Sequence, residues 1–120
     1  MSIPKISTRA TNVELTNERR GLISRKLMPL SRFFVHESDV RIEVVLRKVR
    51  MRLSGDIYYL SLRVSTPNDV YMAVANEHQL ARALEKARET IRRSVSKGAS
   101  VANYQLRRSR QNKEGLTLTL

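Results

Sequence analysis

Residues 78–97 constrain this chain more than any other stretch. Leu80, Leu84, Ala87, Ile91 and Val95 recur at intervals of four, three, four and four, the period of an α-helix with one buried face. Gly98 follows as a C′ residue, since glycine enters the left-handed region without a Cβ clash. At about 100° per residue, Arg82, Lys86, Arg93 and Lys97 fall within about 60° of one another, almost opposite the apolar ridge. Glu85 and Glu89 occupy a separate strip, and Glu89 can pair with Arg93 one turn on. Such a helix buries one side against the rest of the domain and presents a row of cations on the other. Taken alone, that row could equally be an ordinary solvated face.

The middle of the chain supplies the surface the helix needs. Val40, Ile42, Val44 and Leu46 alternate with polar residues, as a half-buried strand does. Apolar parity then switches to Val49, Met51 and Leu53. A β-bulge near Arg47 and Lys48 would cause this, because one inserted residue turns over every later side chain; two separate strands would do the same. Ser54-Gly55-Asp56 is a turn signal, and Tyr58, Leu60, Leu62 and Val64 share one face of the next strand. Thr66-Pro67-Asn68-Asp69 leads into a last strand over 70–75, apolar at both parities, whose inward face the pattern leaves open. Arg41, Lys48, Arg50, Arg52 and Arg63 are expected to point outward.

Ahead of this meander, residues 3–9 form a short strand, with Pro4 marking its start or a sheet edge. Thr16 is positioned as the N-cap of a helix, with Glu18 in the first turn where the helix dipole favours a carboxylate. Ile23, Leu27, Leu30 and Phe34 make its buried ridge, flanked by Leu22 and Phe33. Lys26 falls inside that arc, so either it snorkels past the apolar edge or Pro29 rephases the last turn. Arg19, Arg20, Arg25 and Arg32 make this helix basic as well. The predicted order is β-α-β-β-β-α: an α+β two-layer sandwich, a four-stranded sheet with two helices on one face. Without its first strand it resembles a double-stranded-RNA-binding domain, which reads A-form RNA by shape and phosphate contacts.

The formal net charge of +12, from 23 Lys and Arg against 11 Asp and Glu in 120 residues, points to polyanionic partners such as nucleic acid. There is no cysteine, hence no disulfide framework and no thiolate chemistry. No apolar run approaches the roughly 20 residues of a membrane span and no secretory h-region opens the chain, so a soluble, cytoplasmic protein without membrane contact is expected. His36 and His78 belong to no ligand-spaced cluster, and the four glycines form no phosphate loop. Glu85 and Glu89 read as surface partners of Arg88, Arg92 and Arg93 rather than as an acid–base pair. No catalytic residue, metal, cofactor or small-molecule substrate is indicated. His78 reads as a polar residue at a helix start, and Tyr58, Tyr59 and Tyr71 as packing residues before base-stacking ones.

Asn12-Val13-Glu14-Leu15-Thr16, followed by a helix carrying Arg20, Lys26, Leu27, Leu30 and Phe34, resembles the opening of the ribosome hibernation-promoting factor family, which includes the ribosome-associated inhibitor. The family's second helix typically begins Asp-Met-Tyr-x-Ala-Ile-Asp and continues to Leu-x-Arg-Gln-Leu. Gln79-Leu80-Ala81-Arg82-Ala83-Leu84-Glu85 and Ile91-Arg92-Arg93-Ser94-Val95 stand there in this chain. The aspartate and tyrosine are gone; the apolar frame, Glu85 and Arg93 remain. The family's lysine before the last leucine of the first helix is Pro29 here, and the one before its Leu-x-Arg pair is Thr90.

The resemblance implies a non-enzymatic translation inhibitor that binds rRNA of the small ribosomal subunit where tRNA and mRNA otherwise sit, and that is a monomer off the ribosome. Arg20, Lys26 and Arg93 match family basic positions, while Arg82, Lys86 and Lys97 join them from the cation row. Two other functions fit the charge: a general double-stranded-RNA module, or a regulator that binds an acidic protein. Residues 1–98 are expected to form the binding domain. Residues 99–120, with Arg107-Arg108-Ser109-Arg110 and no sustained period, read as a basic disordered tail. They are too few for the separate dimerisation domain of the family's long members.

Overall fold

The computed structural model describes residues 4–98, so the expected tail lies outside the described residues. Pro4 leads into strand β1 (Lys5–Thr11), where Ile6, Thr8 and Ala10 turn toward the core side and the alternate residues face away. β1 runs parallel to β2 (Arg41–Met51), in register from Lys5 opposite Arg41 to Thr11 opposite Arg47. Parallel neighbours need a crossover connection, and residues between them provide a helical one. Asn12 bends the chain out of β1 at φ 59°, a left-handed conformation that asparagine tolerates better than most residues. Thr16 then caps α1 (Asn17–Leu27), its Oγ1 accepting the Arg19 N–H at 3.2 Å.

The first helix is shorter than its apolar period suggests. It stops at Leu27, and Met28–Phe34 winds on as a 3-10 helix with Pro29 in its first turn. Proline has no N–H to donate, and its ring crowds the carbonyl four residues back. The tighter winding still keeps Leu27, Leu30 and Phe34 buried beside Ile23. Phe33, expected to flank this ridge, turns outward and is 40% exposed.

β2 pairs antiparallel with β3 (Gly55–Ser65), which pairs with β4 (Val70–Glu77), giving the sheet order β1-β2-β3-β4. The expected bulge does not exist, and neither do two separate strands. The ladder runs unbroken from Arg41 opposite Ser65 to Met51 opposite Gly55. The parity switch instead marks where helix cover ends. Past Leu46 the helix-side positions are Lys48 and Arg50, whose charges lie 3.2 Å and 3.9 Å from the Asp56 carboxylate. Val49 and Met51 simply continue the outer face of Val45 and Arg47. The hairpin closes through Gly55 at φ 78°, a conformation that favours glycine.

β4 resolves the parity left open by its sequence: Tyr71, Ala73 and Ala75 are buried, while Met72 and Val74 face out. α2 (Leu80–Ser96) lies over β3 and β4 and touches α1. Small residues on both partners, Ala83 and Ala87 against a strand carrying Ala73 and Ala75, allow a close approach. Tyr71 packs on Phe34 with ring centroids 5.8 Å apart and planes tilted by 51°. α2 ends as expected, with Gly98 at φ 64° donating its N–H to the Val95 carbonyl at 3.0 Å. Ile23, Leu27, Ile42, Leu46, Leu62 and Leu84 belong to one core between the sheet and the two helices. The architecture is the predicted α+β two-layer sandwich, and among the described residues no element covers the sheet's other face, the open face.

Candidate nucleic-acid interface

The apolar face of α2 dictates where its cations go. With Leu80, Leu84, Ala87 and Ile91 buried, Arg82, Lys86, Arg93 and Lys97 all stand exposed on one side of the helix. That side leans toward the edge of the sheet rather than straight away from it. Lys86 and Arg93 line an open groove with Val74, Ala75 and Asn76 of β4, and Lys86 forms an ion pair with Glu77 at the end of that strand. Arg93 Nε lies 3.4 Å from Glu89 Oε1. Arg82 and Lys97 have no ion-pair partner among the described residues.

The two residues expected on the first helix are placed differently. Arg20 is exposed on α1 and makes no ion pair among the described residues. Lys26 is half-buried and reaches across to α2, its Nζ 2.6 Å from Glu85 Oε1. Arg88 donates to the Lys26 carbonyl at 3.1 Å from the same flank. Lys26 and the Lys86–Arg93 groove therefore occupy opposite flanks of α2. Its place inside the apolar arc is explained by this reach: the aliphatic stem crosses the core edge and the ammonium meets a carboxylate.

Three glutamates of this layer hold their charge firmly. The Glu77 carboxyl is lowered mainly by the hydrogen bond from Lys86, and that of Glu85 mainly by the one from Lys26. Glu89 is lowered to about 2, chiefly by Arg92, which donates to both of its oxygens at 2.9 Å and 2.5 Å. Each pair is at least partly open to solvent, where ion pairs are weakened and screened by salt, so their cations can exchange a carboxylate for a phosphate.

Other expectations are answered by single contacts. His78 donates from Nδ1 to the Asp56 carbonyl at 3.0 Å, tying the start of α2 to the β2–β3 hairpin. Tyr71 is core and Tyr58 packs against it. Tyr59 points to the open face, with the Arg47 guanidinium 5.1 Å from its ring centroid. Lys48 and Arg50, expected to point outward from the sheet, share the helix-side parity and pair with Asp56. Sequence reasoning passed over Lys5, Arg9 and Arg47, which the register places beside Arg41 and Arg63 on the open face. The alternation of residues 41, 43, 45 and 47 carried that signal for Arg47, but a bulge at that point would have obscured it. Among the described residues no group of three His, Cys, Asp or Glu side chains could hold a metal ion, and no helix is long and apolar enough to cross a membrane.

No family model matches the sequence, and no curated protein matches it significantly. Solved structures do match. The N-terminal domain of Thermus thermophilus Protein Y superposes with a TM-score of 0.58 at 21% identity, over 81% of this chain and 98% of that one. A ribosomal subunit interface protein from Coxiella burnetii gives a TM-score of 0.61 at 15% identity, over 78% of this chain and 93% of its own. This chain has their fold. Nearly the whole of each of those two chains is spanned. The fold implied by the hibernation-factor resemblance is thus the fold observed.

Proposed function

We propose that this protein is a ribosome-associated translation inhibitor of the hibernation-factor type, acting in the cytoplasm without catalysing a reaction. It binds rRNA in the tRNA and mRNA channel of the small subunit, with Arg82, Lys86, Arg93 and Lys97 facing phosphates and Arg20 and Lys26 supporting them from α1. The observation that carries this reading is the exposed α2 cation row, set on a fold shared with a protein described as a ribosomal subunit interface protein. Residues Asn12 to Thr16 and the spacing that follows them agree with it. The protein is a monomer off the ribosome and needs no cofactor. A general double-stranded-RNA module is less well supported, because β1 is an edge strand of the sheet, in register with β2 along its whole length, whereas that module's order begins with the first helix.

Co-sedimentation with purified small subunits tests the proposal. Arg82→Glu combined with Lys97→Glu reverses the two row cations that have no internal ion pair, so no carboxylate loses its partner. The double variant should keep the native circular dichroism spectrum, lose small-subunit binding at moderate salt and no longer compete with tRNA. Binding of the unaltered protein should weaken with salt at a log–log slope of about −0.7 to −0.9 per neutralised phosphate. Undiminished pelleting of the double variant would make the row an ordinary solvated face.

A further inference from the structure

The open face of the sheet carries a second concentration of charge with a different composition. β1, β2 and β3 place Lys5, Arg9, Arg41, Arg47 and Arg63 there, against Glu43 as the carboxylate on the same strands. On α2, Lys86, Arg92 and Arg93 already have carboxylate partners. On the open face only Arg41 does, with Asp39 3.5 Å away; Lys5, Arg9, Arg47 and Arg63 make no ion pair among the described residues. Apolar side chains stand beside these charges rather than under them. Val45 is 50% exposed, Met72 46% and Val74 71%. The register puts Arg9, Val45, Ser61 and Val74 in one cross-strand row, Arg63 and Met72 in the row on one side, and Arg47 and Tyr59 in the row on the other. Cations therefore gather toward β1 and β2, and apolar surface toward β4. Next to Arg9 the face dips into a shallow depression of about 190 Å³ lined by Ser7, Glu43 and Val45.

We infer that the open sheet face binds single-stranded RNA, with the phosphate backbone along the β1–β2 cations and the bases laid over Val45, Tyr59, Met72 and Val74. A duplex would offer this face phosphates on every side and leave the exposed apolar side chains against water or charge. A single strand divides as the face does, into a charged edge and apolar bases. The distance from Arg41 to Arg47 along β2 is about 20 Å at ~3.3 Å per residue, enough for several phosphates. The Arg47 guanidinium already stacked on Tyr59 offers a planar cation on which a base can continue the stack. This inference stands apart from the ribosome reading, because it concerns a different face and is tested with free RNA.

The test uses the full chain, a fluorescein-labelled single-stranded RNA dodecamer, a blunt RNA duplex of equal length and inorganic polyphosphate of equal charge. Arg9→Glu with Arg63→Glu should weaken the dodecamer at least tenfold by fluorescence anisotropy, while the charge-matched helix-layer variant Arg25→Glu with Arg32→Glu, at two exposed cations outside both proposed RNA faces, changes it less than threefold. The dodecamer should displace polyphosphate, since polyphosphate gains nothing from the apolar part. In an amide-shift titration the dodecamer should move Val45, Ser61, Met72 and Val74 more than any residue of α2, a readout that needs no variant to fold. The proposal is overturned if the shifts map to α2, if duplex or polyphosphate binds as tightly as the single strand, or if an acidic peptide competes equally well.

Discussion

Lys26 Nζ lies 2.6 Å from Glu85 Oε1, and this one pair fastens the end of α1 to the facing flank of α2. It is the counterpart of Lys86 with Glu77, which fastens the other flank of α2 to the end of β4. The helix is thus held laterally by charge on both sides of a buried apolar ridge. Each of the two bridges joins a cation of the expected binding set to a carboxylate from another element.

These carboxylates make the fold sensitive to acid in a defined window. Glu77, Glu85 and Glu89 all titrate below their ordinary 4.5 in the folded protein, Glu89 at about 2. A depressed folded pKa means that the unfolded chain binds more protons in this range. The stabilisation is therefore complete above about pH 4.5 and is lost as pH falls toward 2. Thermal melts from pH 6 to pH 2 should show this decline. A Glu77→Gln, Glu85→Gln, Glu89→Gln triple variant should start lower and fall less steeply; an unchanged acid limb would assign the decline to other carboxylates.

Freeing a single row cation should strengthen RNA binding. Glu77→Gln keeps a polar side chain beside Lys86 but removes the charge that holds it. Affinity for small subunits in low salt should rise several-fold, and the salt slope should steepen by about 0.7–0.9 as Lys86 engages one more phosphate. If the slope stays the same, Lys86 either leaves Glu77 unaided or never meets RNA.

The packing of α2 gives a stability prediction with an internal control. Leu84 is fully buried between the helix and the sheet, whereas Leu53 at the hairpin tip is entirely exposed. Leu84→Ala should cost about 2–5 kcal/mol, through lost burial and the cavity left behind. Leu53→Ala should stay within about 0.5 kcal/mol of the unaltered protein. Urea denaturation should show a lower midpoint for the first with an unchanged m-value. A loss in the second would mean that the hairpin tip packs on something.

Much of this protein was legible one element at a time. The Thr16 cap, the left-handed Gly98, the inward faces of β2 and β3 and the exposure of the α2 cations all follow from local rules, because helical and strand periods and cap chemistry involve only residues near in sequence. Even the shortening of α1 was signalled by Pro29. What the tertiary structure decided depends on neighbours far along the chain. Apolar parity past Leu46 could not say that the helical layer ends there, and so a continuous strand looked like a bulged one. β4 could show its inward face only once α2 lay on Ala73 and Ala75. Nothing local pairs Lys26 with Glu85, 59 positions away, or gathers Lys5, Arg9, Arg47 and Arg63 from three strands onto one open face. Those arrangements exist only because the sheet brings distant strands about 4.8 Å apart.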